Sequence, residues 1–276
     1  MTTDPTNTSH HPTPPPLPSL RGLAQRLIRI ESPDDKATQV RHTTEHAFTI
    51  DPHEHIDDDS GIPGRPLHPA LVHPGELKPR AVGTVEGRAT LIHALAHIEA
   101  NAVNLALDVI WRFEDMPERF YRDWLQVAQE EALHFQLLRD HLHTLGYRYG
   151  DFPAHDGLWE MAEKTKHDLM ARLALVPRTL EARGLDVTPA IRTKLISVGD
   201  RAGASILDII LRDEIGHVAI GNHWYRHLCR ERQLDHVTTY ATLAHTYGAK
   251  PLKGPFNVEA RRAAGFDEAE LSLLNA

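Results

Sequence analysis

The residues whose types and spacing suggest chemistry are two pairs, each made of a glutamate and a histidine three residues apart. Glu131 and His134 form the first pair, and Glu214 and His217 form the second. Positions i and i+3 of a helix lie on one face, so each pair could bind one metal ion through a carboxylate oxygen and an imidazole nitrogen. The chain has 20 histidines, so the spacing alone is a weak indication and the surroundings must decide.

Both pairs fall on the apolar stripe of a long predicted helix. The first of these helices opens at Asp115 and closes at Gly146, and the second spans about 201–232. In both, the glutamate and the histidine occupy positions where core residues belong. A buried carboxylate is costly unless it is paired or bound to a metal. This favours a metal site over the alternative, in which the four residues line the polar edges of amphipathic helices.

A further glutamate lies upstream of each pair at a nearly constant distance. Glu99, on the apolar stripe of a helix predicted over 85–112, precedes the first pair by 32 residues, and Glu181 precedes the second by 33. The midpoints of these intervals fall at Asp115 and at Ser197/Val198, where turns are predicted. Two antiparallel helix pairs hinged there would bring each glutamate level with its pair.

Glu181 is the less secure of the two upstream glutamates. The third helical stretch runs over about 157–183 and is interrupted at Gly184, and Glu160 and Glu163 are rival ligands on it. Pro177, one turn before Glu181, removes a helix hydrogen bond and predicts a kink.

The helix that follows Gly184 is predicted to restart with Thr188 as its N-cap and Pro189 as its first residue, and to end near Gly199-Asp200.

The resulting arrangement places four carboxylates and two imidazoles at the middle of a four-helix bundle. One glutamate from each of two helices, with Glu-x-x-His from each of the other two, is typical of di-iron and di-manganese carboxylate proteins. Hard oxygen ligands with imidazole suit iron or manganese. The set contains no thiolate, the ligand that would favour structural zinc. Asp213 and Glu130 precede the two pairs and are candidates to hydrogen-bond the ligand histidines, the alternative being that they are surface acids. The predicted metal ligands are Glu99, Glu131, His134, Glu181, Glu214 and His217.

Around this bundle the sequence predicts an all-α chain with a long irregular N-terminal extension. Residues 1–17 are rich in Pro, Thr and His and predict a disordered tail. Residues 18–83 predict a short helix over 18–30 and an extended wrapping segment, 84–246 the bundle, and 247–276 a loosely packed tail with one short helix after Asp267. His93 and His97, which flank Glu99 but face away from it, are predicted to be structural.

Composition limits the setting and the partners. The apolar content of 41% and charged content of 25% are those of a globular protein, and no run approaches the length of a membrane span. The net charge of −8 argues against a broadly basic nucleic-acid surface. Cys229 is the single cysteine, so a reducing cytoplasm is the simplest expectation.

Four stretches resemble the ferritin-like superfamily: HALAHIEANAVNLALD (93–108), EEALHF (130–135), LVPRTLEARGLDVTP (175–189) and RDEIGHVAIGNHWYRHLC (212–229). The chain is most similar to an uncharacterised bacterial ferritin-like family related to the tRNA hydroxylase that acts on a modified adenosine. The resemblance covers roughly 85–232. It implies a four-helix bundle with a dinuclear, usually iron, centre, and by motif match it assigns ligation to the same six residues. It implies no substrate.

The leading functional hypothesis is a di-iron, or iron/manganese, oxidoreductase that uses O₂ to hydroxylate or oxidise a small organic substrate. The electron donor stays open, and a homodimer is one of the assemblies left open. The alternatives are a non-enzymatic protein for iron storage or metal handling, which the Pro-rich segment 31–83 fits poorly, and a helical interaction protein with a vestigial site, which six intact ligands argue against.

Overall fold

The computed structural model describes residues 17–57, 61–78 and 80–274. The predicted disordered tail, except Leu17, and most of the acidic run at Asp57–Asp59 lie outside these ranges. The described chain is helical with no strand, apart from two isolated backbone bridges, so the predicted all-α class is confirmed. The helices are α1 (Leu20–Ile28), α2 (Pro33–Arg41), α3 (Val85–Arg112), α4 (Glu118–Thr144), α5 (Gly157–Lys164), α6 (Leu169–Leu175), α7 (Ala182–Ser197), α8 (Arg201–Glu231), α9 (His236–Thr246), α10 (Val258–Ala263) and α11 (Glu268–Leu273).

Four long helical segments form the bundle. They are α3, α4, α8 and a composite segment in which α6 passes through a π-helical stretch, Val176–Glu181, into α7. Short connections join α3 to α4 and α7 to α8, and α4 packs against α8. One large apolar core fills the interior between them. Among the described residues, no helix has the length and apolar character needed to cross a membrane.

Helices α3 and α8 begin and end close to their predicted positions, but the stretch predicted as one helix over about 157–183 is divided by a turn at 165–168 into α5 and α6. Helix α4 also needs a correction. It begins at Glu118 rather than Asp115. Asp115 has a φ of 61°, in the left-handed region, and its N–H donates to Pro52 O at 2.9 Å. Asp115 is therefore part of the turn, because a right-handed helix cannot include that backbone conformation.

The prediction that the chain breaks at Gly184 and restarts at Thr188-Pro189 is wrong. Helix α7 runs without interruption through both positions. Proline at position 189 leaves the carbonyl of Leu185 without its usual helical donor. The Asn257 side chain supplies the donor instead, with Nδ2 3.2 Å from Leu185 O, and the helix continues.

Two segments predicted to be irregular or loosely packed each contain a helix that was not predicted. Residues 31–83 contain α2, whose N-terminus is capped by Ser32 and begins with Pro33. In the C-terminal tail, the structure forms α10 in addition to α11. Arg261 of α10 is fully buried and forms two hydrogen bonds to Asp186, at 2.9 and 2.7 Å, so this tail is anchored to α7.

The N-terminal helices lie against the first helix pair of the bundle. Helix α1 packs on α3 and α2 packs on α4. The buried Arg21 of α1 donates to Trp111 O at 2.9 Å, at the end of α3. These contacts support the helices that carry the first set of candidate site residues.

The π-helical stretch begins at Val176, one residue before the proline that predicted a kink. Arg178 and Thr179, both buried, hold it in place. The Thr179 hydroxyl donates to Ala174 O at 2.9 Å, and the Arg178 guanidinium bonds the side chains of Asn222 and Glu270. The wider turn of a π-helix changes the direction of the residues that follow, so this stretch determines where Glu181 points.

Helix α8 passes so close to the π-helical stretch that only glycine fits at the crossing. A Cβ atom added at Gly221 would lie 2.6 Å from Pro177 Cβ and 2.7 Å from its Cγ. Both proline atoms belong to a rigid ring, so the backbone would have to move.

Gly221→Ala is therefore expected to destabilise the fold by about 1–3 kcal/mol, the usual range for overpacking a core. Urea unfolding measures this change. Gly216→Ala is the matched control on the same helix, because a Cβ there meets nothing within 4 Å. It should be neutral or stabilising by up to about 1 kcal/mol from helix propensity. Equal effects of the two substitutions would contradict the close contact at Gly221.

Candidate metal centre

The two Glu-x-x-His pairs and Glu99 meet in the interior of the bundle. Glu99 comes from α3, the first pair from α4 and the second from α8. One side-chain ligand atom from each of Glu99, Glu131, His134 and Glu214 lies within 4.8 Å of all the others, and all four residues are buried. The helix pairing inferred from sequence spacing therefore brings these residues together.

Glu131 lies between the two histidine rings. Its Oε2 atom is 3.3 Å from His134 Nδ1, and its Oε1 atom is 2.9 Å from His217 Nδ1. The outer glutamates lie slightly farther away: Glu99 Oε2 is 3.7 Å from His134 Nδ1 and Glu214 Oε1 is 3.8 Å from His217 Nδ1. Both Nδ1 atoms thus face the cluster of carboxylates.

The opposite ring nitrogens face acids outside the cluster, in a crosswise pattern. His134 of α4 has its Nε2 3.1 Å from Asp213 Oδ2 of α8, and His217 of α8 has its Nε2 2.7 Å from Glu130 Oε2 of α4. Each acid precedes the pair on its own helix but contacts the histidine of the other. A carboxylate that accepts the Nε2–H leaves the Nδ1 lone pair directed inward, the arrangement that metal-binding histidines require.

Glu181 ends the π-helical stretch and lies beside this cluster, although it is not one of the four residues whose ligand atoms lie within 4.8 Å of one another. Its Oε2 atom is buried without a hydrogen-bond partner, and its carboxyl group interacts electrostatically with Glu214, Glu131 and His217. The rivals from the sequence, Glu160 and Glu163, are both exposed on α5.

The cluster contains several polar atoms that nothing in the described chain satisfies. These atoms are buried and form no hydrogen bond, although such groups are normally paired. The close contact of His217 Nδ1 with Glu131 is not aligned as a hydrogen bond. Unpaired oxygens and a ring nitrogen that converge from four segments are what a cation would satisfy, so the residues fit a bound metal. The unpaired atoms are Oε2 of Glu99, Oε1 of Glu131, Oε2 of Glu181, Oε2 of Glu214 and Nδ1 of His217.

Burial and mutual repulsion shift the outer carboxylates toward their protonated forms. Burial, together with the charge of Glu131, raises the pKa of Glu99 well above its usual range and also raises that of Glu214. Burial and the charge of Glu214 do the same to the pKa of Glu181. These carboxyl groups would lose their protons readily to a cation placed among them.

Glu131 and the two histidines instead shift toward their charged forms. Burial disfavours ionised Glu131, but the charge of His217 and the contacts with both histidines outweigh it and hold the pKa of Glu131 well below its usual range. Burial likewise opposes charge on His134, yet its contacts with Glu131 and Glu99 raise its pKa to about 11. Without metal, the cluster thus balances its negative charge with protons on the imidazoles.

The residues predicted to be structural have structural contacts. The ring of His93 accepts a hydrogen bond from Gly150 N–H at 2.9 Å, and His97 Nδ1 lies 2.8 Å from the Tyr149 hydroxyl. The buried ion pairs were not predicted from the sequence, among them Arg172 of α6 with Asp108 of α3, both fully buried. This ion pair joins the composite segment to the first helix pair.

Comparison with known proteins assigns the chain to a family. The family described as "Protein of unknown function (DUF455)" matches residues 29–272. The chain belongs to this family. An uncharacterized protein of Haemophilus influenzae is 51% identical to it over 225 residues, which cover 79% of this chain and 77% of the relative. No solved structure matches the chain. The DUF455 match spans every residue of the candidate centre, and it brings no known activity with it.

His134→Ala and His217→Ala should each lose most of the metal at one position while helix content stays nearly unchanged, because the apolar stripes remain. Elemental analysis and far-UV circular dichroism of the reconstituted variants measure the two quantities. His143→Ala is the control, an exposed histidine on α4. Full metal occupancy in both cluster variants would show that these histidines are structural.

Proposed function

We propose that this DUF455 protein is a ferritin-like dinuclear metal protein that holds two iron ions, or iron and manganese, between its four long helical segments. The observation that carries the proposal is the convergence of buried, unpaired carboxylate and imidazole atoms. An interior that leaves so many polar atoms unsatisfied would be strongly destabilised unless a cation bound there.

The contacts suggest how the ligands divide. Glu99 and His134 are neighbours on one side of the cluster, and Glu181 and His217 interact on the other. Glu131 faces both histidines through different oxygens, so it would help to hold a metal beside either of them. Glu214, which contacts His217 and interacts with Glu131, would contribute a further carboxylate.

The donor set favours iron or manganese over structural zinc. Carboxylate oxygens and imidazoles suit these ions, and thiolates are absent from the described site. Cys229 is buried in the apolar core and is not part of this cluster. Few protein ligands per ion would leave positions open for small molecules.

We further propose that the centre serves an O₂-dependent oxidoreductase, a hydroxylase or oxidase, acting on an organic substrate. A reduced pair of such ions supplies the electrons that O₂ activation requires. The chain supplies a dry enclosure, because buried Val127 and Leu138 lie one turn from the first pair, and Ile210 lies one turn from the second. Asp213 and Glu130 would hold the histidine rings in one tautomer and one orientation.

The dinuclear proposal predicts about two iron or manganese ions per chain. Anaerobic reconstitution with Fe²⁺ followed by elemental analysis counts them. Admitting air should then produce oxygen uptake limited to the bound iron, and uptake should become catalytic when a reductant and an extract of cell metabolites are added. Uptake of many iron atoms per chain would indicate storage instead, and one tightly held zinc with no second ion would reject the dinuclear centre.

The assignment of Glu181 predicts a selective loss. Glu181→Gln should weaken metal binding beside His217 as strongly as Glu99→Gln weakens it beside His134, since each removes one anionic ligand. Glu160→Gln and Glu163→Gln are controls with the same chemical change on exposed positions. Metal titrations of the four variants provide the comparison. Loss of metal in either control, with retention in Glu181→Gln, would place the third-segment ligand upstream.

A further inference from the structure

A second site for chemistry lies outside the bundle interior, in a cavity of about 330 Å³. Helix α2, the segment 64–71 and residues 97–104 of α3 form its walls, and Phe135 and Tyr149 complete them. This volume is at the lower end of the range for small-molecule sites. It would hold roughly ten water-sized groups.

One wall of the cavity carries a buried lysine without a counter-charge. Lys36 is 4% exposed, and its Nζ atom lies 2.6 Å from Asn104 Oδ1 and 3.2 Å from Gly64 O. Both partners are neutral oxygens. In the described ranges, no carboxylate lies within ion-pair distance of Lys36. An ammonium group is rarely buried unless an anion accompanies it.

A second cation reinforces this wall. Arg65, which also lines the cavity, pairs with Asp156 through distances of 2.7 and 2.9 Å. Its charge opposes that of Lys36. Burial, followed by the charge of Arg65, lowers the pKa of Lys36 to about 7. Two cations with one acid leave the wall short of negative charge whenever Lys36 is protonated.

The cavity also presents an unpaired acceptor. Asn101 lines it and is 3% exposed. Its Nδ2 atom donates to His97 O at 3.0 Å, which fixes the orientation of the amide because a carbonyl can only accept. The Oδ1 atom on the other side has no hydrogen-bond partner. This oxygen adds a hydrogen-bonding group to the cavity wall.

The remaining lining is largely apolar. Val103 and Phe135 are buried, whereas Leu67 is 95% exposed and Leu71 is 43% exposed. Exposed leucines beside a cavity are surfaces that an apolar ligand can cover. The site therefore combines a cationic, hydrogen-bonding wall with apolar surroundings.

We infer that this cavity binds a small organic anion, a carboxylate or a phosphate monoester with a compact apolar body, whose charge is held by Lys36 and Arg65. The bound anion supplies the counter-charge that Lys36 lacks. The apolar body lies against the leucine and phenylalanine side chains. The inference is independent of the metal centre, because Glu99 and His134 face α8 whereas this cavity lies toward α2.

Calorimetric titration of the full chain tests the inference with four probes. Phenylacetate is a carboxylate with an apolar body, phenyl phosphate is the phosphate counterpart, phenylacetamide is a neutral isostere, and inorganic phosphate lacks the body. We expect one of the two organic anions to bind. Phenylacetamide, which lacks the charge, and inorganic phosphate, which lacks the apolar body, should each bind at least about tenfold more weakly. The organic anion that binds identifies the ligand class.

Two variants with a control locate the binding. Lys36→Met keeps the apolar stem but removes the charge, and Asn104→Asp places an internal carboxylate beside Lys36. Both should reduce binding by about tenfold or more, while Lys194→Met, an exposed lysine on α7, should not. Asn104→Asp retains the shape of the site, so it tests whether the anion binds beside Lys36 even if Lys36→Met folds poorly. Failure of both organic anions to bind, equal binding of the amide, or unchanged binding in Asn104→Asp would overturn the inference.

Discussion

Burial of three glutamates and two histidines in one apolar interior, with a half-buried fourth glutamate beside them, is the constraint on which the structure depends. Transfer of an ionised carboxylate from water into such an interior costs several kcal/mol unless other charges compensate. Here the imidazoles and protons provide that compensation, with Glu131 as the ionised centre. Long, continuous helices are needed to bring these groups together, because only a rigid segment can hold a side chain against the repulsion of its neighbours.

The fourth segment meets the same requirement by a different route. Its proline prevents a regular helix, and the π-helical stretch accommodates the proline without ending the segment. Buried Arg178 and Thr179 anchor the stretch, and Gly221 allows α8 to approach it. Buried arginines recur in this role: Arg172 joins α6 to α3, and Arg261 joins α10 to α7. Around each guanidinium a carboxylate of another helix takes the place of water: Asp108 beside Arg172 and Asp186 beside Arg261.

Much of the bundle was predictable from sequence, because apolar periodicity dominates long helices. The same periodicity showed that the glutamates and histidines occupy positions where apolar residues are expected. Predictions failed where a distant residue overrides a local rule: Pro189 remains inside α7 because Asn257 supplies a donor. Helix α2 was missed although Ser32-Pro33 is a recognisable helix start, since its few apolar residues give no clear stripe. The pairing of Glu130 and Asp213 with histidines on opposite helices depends on how α4 and α8 face each other, which no local pattern encodes.

That crosswise pairing also fixes the register of the two helices. Glu130 of α4 reaches His217 of α8, and Asp213 of α8 reaches His134 of α4, so the two hydrogen bonds run in opposite directions across one interface. Sliding α8 by one turn, about 5.4 Å, would break both bonds together and take these partners away from Nε2 of both histidines. The two hydrogen bonds that orient the imidazoles therefore also determine how the helices that carry them are aligned.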